Sequence, residues 1–221
     1  MYVRRVWDFF HPFKMEKPMV RKTKEDALAT RDSILDAAAA LFAERGVSGT
    51  TLQHIATAAG VTRGAIYWHF EDKGAMFNAM MERAAMPLEA AMQLLDKPDT
   101  LDPLGDLRDY ALQVFRLTVE DPKARRTFEI ATLKMEYTGE MSVVRERRAL
   151  NQADWIKRAE SRVRLGIKNG QLQPDVKPSA VAFGMWVLIE GLVRNWLMAP
   201  EFNLVKMGGE IIDTHLGSLR V

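Results

Sequence analysis

The sequence predicts an all-α protein, with a small N-terminal three-helix head and a larger helical body. Three observations carry that prediction. Apolar residues recur every three or four positions through most of the chain, Asp-Pro, Thr and Gly signals punctuate those runs, and no stretch alternates apolar with polar as a half-buried strand would. No internal repeat or low-complexity segment interrupts the pattern.

From Arg31 to Arg45, Ile34, Leu35, Ala38, Leu41 and Phe42 recur at helical spacing, and Gly46 follows as a left-handed stop. Thr50 and Gln53 have the spacing of a capping box ahead of Leu52, Ile55, Ala56 and Ala59, a run of barely two turns that Gly60 ends. Thr62 caps a third helix in which Ile66 and Phe70, four apart, share one face. Asp72 caps a fourth, running from about Lys73 into Met80, Met81 and Met86. In the body, Asp102-Pro103 and Asp121-Pro122 each place a cap before a proline at the first helical position. Leu104, Leu107, Ala111, Val114, Phe115 and Thr118 keep one face after the first of these. Arg145 to Lys168 is a long charged helix with Trp155, Ala159 and Val163 on one stripe, closed by Asn169-Gly170. Pro178-Ser179 opens an apolar helix to Leu197, and Glu210 to Leu219 makes a short last one.

Composition narrows the function. The chain has 221 residues, 48% hydrophobic and 9% aromatic, enough for a substantial core. With no Cys, it has no disulfide, thiolate zinc site, iron–sulfur cluster or thiol nucleophile. The 31 Lys+Arg against 29 Asp+Glu leave +2, which argues against affinity for polyanions through bulk charge. That excess lies in residues 1–18, while 19–74 carry seven of each sign and 75–221 twenty of each. Composition shifts at Met19, so Met19 is the expected natural start and 1–18 a non-native or disordered extension, the alternative being a docking arm. The apolar run Ala180–Ile189 ends at Glu190, short of the roughly 20 residues of a membrane span, so a soluble, cytoplasmic protein without membrane contact is expected.

The segment Thr50–Phe70, TTLQHIATAAGVTRGAIYWHF, is the most informative. Two short helices joined by Ala59-Gly60-Val61 fit a helix-turn-helix, in which Gly60 permits the tight turn and Val61 fills the angle between helices. Ile55, Ala56, Val61 and Ile66 then face helix one, leaving Arg63, Gly64, Tyr67, Trp68 and His69 outside. An exposed cluster of Arg, Tyr, Trp and His suits DNA better than water.

Helix one with Gly46-Val47, Thr50-Thr51-Leu52, Ile55-Ala56, Ala59-Gly60-Val61, Gly64-Ala65-Ile66-Tyr67-Trp68-His69-Phe70 and Lys73 together resemble the DNA-binding head of the tetracycline-repressor (TetR) family. MVRKTKED from Met19, VTRGAIYWHF, Asp102-Pro103-Leu104, Lys134-Met135-Glu136-Tyr137 and Gly191-Leu192 to Trp196-Leu197 resemble its AcrR/TtgR branch of multidrug-efflux repressors. The resemblance runs from Met19 nearly to the end.

It implies a DNA-binding head at 19–74 and a ligand-binding and dimerisation body at 75–221. The partners implied are a palindromic double-stranded operator, a second copy of the chain and a small amphipathic or cationic inducer, with no cofactor and no metal. Arg63, at the front of the recognition helix, is the base-reading candidate, because a guanidinium meets guanine O6 and N7 bidentately. Thr51, Thr62, Tyr67, Trp68, His69 and Lys73 are expected on phosphates and sugars, and Arg21, Lys22 and Lys24 as a basic arm toward a minor groove. By position, Val114, Phe128, Thr132, Trp186 and Glu190 would line the ligand pocket. Glu190 interrupts an apolar helix, so it needs a partner, either a ligand cation or an arginine such as Arg194. Phe128 and Thr132 stand where related pockets carry more polar groups. Met80, Met81, Met92 and Met135 either add contacts or fill core. The last two long helices would form a four-helix dimer interface, with Val163 equally placed for internal core.

Other classes fit less well. No phosphate loop, nucleophile elbow, metal-ligand spacing or paired carboxylates appears, and His54 and His69 are not spaced as an i, i+4 pair, so an enzyme is not expected. A TetR-type regulator of a metabolic or stress operon, or an architectural DNA binder without a ligand, are the alternatives.

Overall fold

The structure, a computed structural model, describes residues 24–221; the 1–18 extension and the basic residues Arg21 and Lys22 lie outside the described residues. The described chain folds into α1 (Lys24–Arg45), α2 (Leu52–Ala58), α3 (Arg63–His69), α4 (Lys73–Ala85), α5 (Glu89–Leu94), α6 (Pro103–Glu120), α7 (Pro122–Leu133), α8 (Ser142–Lys168), α9 (Pro178–Met198) and α10 (Leu204–Gly217). Short 3-10 turns at Met86–Leu88 and Gly139–Met141 lead into α5 and α8. Among the described residues no strand forms, only one isolated bridge between Leu172 and Arg220.

The capped starts stand where the sequence puts them. Side-chain oxygens of Thr62, Asp72, Asp102 and Asp121 each accept a backbone N–H in the first turn of α3, α4, α6 and α7. Gly46, Gly60 and Gly170 take positive φ at the ends of α1, α2 and α8, the left-handed conformation that side-chain-bearing residues disfavour.

Four boundaries differ, one being that of α8, which starts at Ser142 rather than Arg145. α1 begins at Lys24, so Lys24 is helical rather than part of an arm; Glu25 and Asp26 in its first turn favour a helix N-terminus although no apolar stripe marks it. The cap of α2 is Thr51, whose Oγ1 accepts from His54 N at 3.2 Å while His54 Nδ1 accepts from Thr51 N at 3.3 Å. Thr50, the residue expected there, is wholly buried and donates its hydroxyl to Gly46 O at 2.8 Å. α10 starts at Leu204 behind an Asn203 cap. Its Gly208-Gly209 pair, poor in helix propensity, is there because a Cβ at 208 would stand 2.7 Å from Cε2 of buried Phe115.

Two buried clusters organise the molecule. In the head, Ile34, Leu35, Ala38 and Phe42 meet Ile55, Ala56, Ile66, Phe70, Met76 and Phe77, and the cluster continues into Ile130 and Ala131 of α7 and Met141 and Val144 beside the start of α8. The head therefore shares a core with the body, and α4 straddles the boundary expected at residue 74. The second cluster, around Phe115, Trp155, Ala159, Val163, Met185 and Ile212, is the body's own. Val163 is wholly buried within one chain. α9 contains 21 residues and is, by length and composition alone, apolar enough to cross a membrane. That corrects the expectation from Ala180–Ile189, which counted only the uninterrupted run. α9 carries Glu190 and Arg194 and packs on α8 and α10. Its other face leaves Phe183, Val187 and Met198 exposed, beside Met207 of α10.

Candidate functional site

Two surfaces gather the residues singled out by sequence. The first is the outer face of α3. Thr62 Oγ1 accepts from Ala65 N at 3.1 Å, which starts the helix, and Ile66 and Phe70 turn inward. Arg31 stacks over Phe70 with its guanidinium carbon 5.1 Å from the ring centre, fixing the end of α3 on α1. What remains outside is Arg63, Gly64, Tyr67 and Trp68, the last 78% exposed, with Thr51, Thr62 and His54 alongside and His69 half-buried. Trp68 packs edge-on against His69, centroids 5.1 Å apart. Arg63 is held rather than free: its Nη2 donates to Tyr67 Oη at 3.0 Å, and its guanidinium lies 5.5 Å above that ring.

The Lys73 ammonium is engaged within the fold rather than standing free on this surface. It donates to Val47 O at 3.3 Å and Thr50 O at 3.1 Å and pairs with Glu140 at 2.9 Å, leaving the side chain 14% exposed. The expected phosphate contact through this ammonium is corrected: three oxygens already hold it, two from the loop before α2 and one from the turn before α8. Nearby, a Cβ on Gly74 would sit 2.4 Å from Glu140 O, so the first turn of α4 lies directly against that turn.

The second surface is a cavity of about 210 Å³ inside the body. Val114 of α6, Phe128 and Thr132 of α7, and Trp186 and Glu190 of α9 all line it. Met81, one of the methionines offered for contacts, lines it too, and Asn78, Tyr110, Tyr137, Arg148 and Asn151 add walls that sequence reasoning did not assign. A wider chamber of about 470 Å³ adjoins it past Met92 and Trp155. Of the other methionines, Met80 is core and Met135 packs on the head cluster. Tyr110, Trp155 and Trp186 form a contiguous aromatic wall, with centroids 5.6 Å apart along each step. A separate cleft at Lys97 and Lys157 is larger than the inner cavity but charged, its Arg158 already paired with Asp96 and Asp154.

The partner of Glu190 is Arg148 of α8, not Arg194 on its own helix. Arg148 Nη2 donates to Glu190 and its Nη1 reaches Tyr137 Oη at 3.4 Å. Burial works against the Arg148 charge, but Glu190 and Tyr137 more than restore it and raise its pKa. Burial, with Glu190 adding to it, pushes the Tyr110 phenol up to about 12, so it stays a neutral hydroxyl. Arg148 was hidden in a charged run that reads as a solvated face; the matching signal was the isolated acid on α9. Among the described residues no group of three or more His, Asp or Glu is placed to hold a metal.

Comparison with known proteins agrees with this geometry. A family model described as bacterial regulatory proteins, tetR family, matches residues 34–80, and one for the C-terminal region of MAATS-type transcriptional repressors matches 102–221. The HTH-type transcriptional regulator TtgR of Pseudomonas putida is 37% identical over 206 residues, 92% of this chain and 97% of its own. AcrR of Shigella flexneri is 39% identical over 189 residues, 85% of this chain and 88% of its own. NalD, the secondary repressor of the MexAB-OprM multidrug efflux pump in Pseudomonas aeruginosa, superposes with a TM-score of 0.81 at 34% identity, covering 89% of this chain and 98% of its own. A complex of SmeT with triclosan gives 0.77 at 32% identity, covering 87% and 92%. The match extends over head and body alike, and the chain belongs to the TetR family of bacterial transcriptional regulators.

Proposed function

We infer that this chain represses a multidrug-efflux operon and its own gene, binding a palindromic operator as a homodimer and leaving it when a small amphipathic molecule occupies the body. The observation that carries the reading is the cavity: an aromatic, largely apolar chamber bounded by α4, α6, α7, α8 and α9, in a body whose core is continuous with that of the head. Relatives named as efflux-pump repressors support the operon class. The exposed Phe183, Val187 and Met198 support a second copy docking on α9, one of the two long helices expected there, with Met207 extending the patch onto α10; the Trp155, Ala159 and Val163 stripe of α8, the other, is internal. A symmetric pair sets two α3 helices about one DNA turn apart, roughly 34–36 Å, which reads a near-palindrome. Thr51, Thr62, Tyr67, Trp68 and His69 then hold the backbone, and Arg63 reads a base. Repression takes place in the cytoplasm, where the operator is.

The coupling is a population shift: the ligand favours a body conformation in which α4 moves and the two heads no longer fit one operator. Footprinting on the DNA upstream of its own gene, with and without a panel of amphipathic dyes and antibiotics, is the test. Protection of a palindrome that a panel member abolishes is the expected result. A compound that binds the body and leaves the footprint intact refutes the coupling.

A further inference from the structure

The cavity wall contains one internal ion pair, and its surroundings are not symmetric. The inner cavity and the opening beside it are lined by Arg147, Arg148 and Arg194 against a single acid, Glu190. Arg147 is engaged outward with Glu82 at 2.8 Å. Across the wider chamber, Asp96 and Asp154 are paired with Arg158, and Glu89 stands exposed at the rim.

Splitting the Arg148–Glu190 pair therefore has different consequences on the two sides. A ligand cation that takes Glu190 leaves Arg148, 38% exposed, with water and the Tyr137 hydroxyl but no other carboxylate on the cavity wall, and a guanidinium cannot shed its charge. A ligand anion that takes Arg148 leaves Glu190, whose side chain is 42% exposed, with water and with Arg194 one turn along in the same opening. The remaining polar groups favour an acceptor. Asn78, Tyr110 and Asn151 line the cavity and donate to no protein group among the described residues. Trp155, 1% exposed and part of the adjoining wall, has a buried indole N–H without a partner. The aromatic wall of Tyr110, Trp155 and Trp186 fits a flat apolar body.

We propose that the cavity selects aromatic acids, receiving their carboxylate or phenolate on Arg148 and releasing Glu190 toward Arg194. This rests on the reading of the cavity as the ligand site, and within the amphipathic or cationic inducers expected from sequence it sets aside the cations in favour of an anionic amphiphile.

Three probes on one scaffold separate the two ideas by calorimetry on the full chain: biphenyl-4-carboxylate, biphenyl-4-methanol and biphenyl-4-methylammonium. The carboxylate binds at least tenfold more tightly than the ammonium. Arg148→Met, whose thermal melt and operator binding check its fold, removes that preference, and Glu190→Gln tightens carboxylate binding because the internal competitor loses its charge. An ammonium that binds as tightly as the carboxylate, or a carboxylate affinity unmoved in both variants, overturns the proposal while the methanol probe still reports a working cavity. Failure of all three probes overturns the cavity reading and the proposal with it.

Discussion

Replacing Lys73 by Met isolates what its ammonium does. The side chain keeps an unbranched apolar stem, one atom shorter, and loses three interactions, to Val47 O, Thr50 O and Glu140. Val47 O retains a second donor, the Thr50 amide at 3.2 Å. Among the described residues Thr50 O has only Lys73, and Thr50 is wholly buried, so in the variant this carbonyl loses its partner with no access to water. An orphaned buried acceptor costs about 1–3 kcal/mol. The pair with Glu140, a residue 43% exposed, adds at most about 1 kcal/mol because water replaces the lysine. The sum is about 1–4 kcal/mol, which for a chain of this size lowers Tm by roughly 2–16 °C.

Calorimetric melts of both proteins read the loss directly. Operator titrations at several salt concentrations provide the second measurement, since a lysine on a phosphate contributes about one to the salt slope and a lysine held by protein oxygens contributes nothing. The expected pattern is a lower Tm with an unchanged slope. An unchanged Tm with a slope reduced by one refutes the internal assignment and returns Lys73 to the DNA surface.

Three further outcomes follow from single residues. Arg162, 2% exposed, donates to Leu94 O and Leu95 O and pairs with Asp106 at 3.4 Å, so Arg162→Met costs about 3–5 kcal/mol in urea unfolding and Arg162→Lys, lacking the planar fork, does not restore it. Burial lowers the pKa of His215, so the unfolded chain binds its proton first; stability present above about pH 6.5 falls as the pH drops through the folded value. Urea midpoints at pH 7.5 and 5.5 should therefore drop less in His215→Gln than in the wild type, and equal drops remove His215 from the account. Arg63→Ala is expected to lose about 1–3 kcal/mol of operator affinity and to relax discrimination at one base position. Tyr67→Phe, which keeps the ring under the guanidinium and removes its hydroxyl, should lose less, and equal weakening on operator and random DNA by Arg63→Ala refutes base reading.

How much of this was legible depended on whether the cause was local. Thr62, Asp72, Asp102 and Asp121 cap helices through amides two or three residues away, and that spacing is written in the sequence. The exposed and buried faces of α3 follow from Ile66 and Phe70 for the same reason. Thr51 took the cap expected of Thr50 because the preceding turn swallows Thr50, and His54 replaces the glutamate or glutamine of the usual box. The early start of α10 has a local cause, the Asn203 cap, but Gly208-Gly209 conceals it, and the glycine at 208 is required by Phe115, far away in the chain. The partner of Lys73 and the identity of the arginine on Glu190 were both beyond local reading, because Glu140 and Arg148 are brought in by the fold and lie at no telling sequence distance.

The same long-range contacts decide how the cavity can reach the head. Arg147 and Arg148 are neighbours on α8: one bonds Glu82 of α4, the other reaches Glu190 across the cavity. One turn earlier, Val144 is 4% exposed and packed in the head cluster. The Arg147–Glu82 pair is more than half exposed at both ends and contributes at most about 1 kcal/mol. A core valine contributes about 1.5–3 kcal/mol, the range of a typical allosteric coupling of about 1–3 kcal/mol. Packing at Val144, rather than the ion pair, is therefore the stronger link between ligand and α4. Val144→Ala should narrow the ratio of operator affinities measured with and without a releasing ligand, while Arg147→Gln leaves that ratio within twofold. If Arg147→Gln narrows the ratio as much as Val144→Ala, the link runs through the surface charges and the packing argument fails.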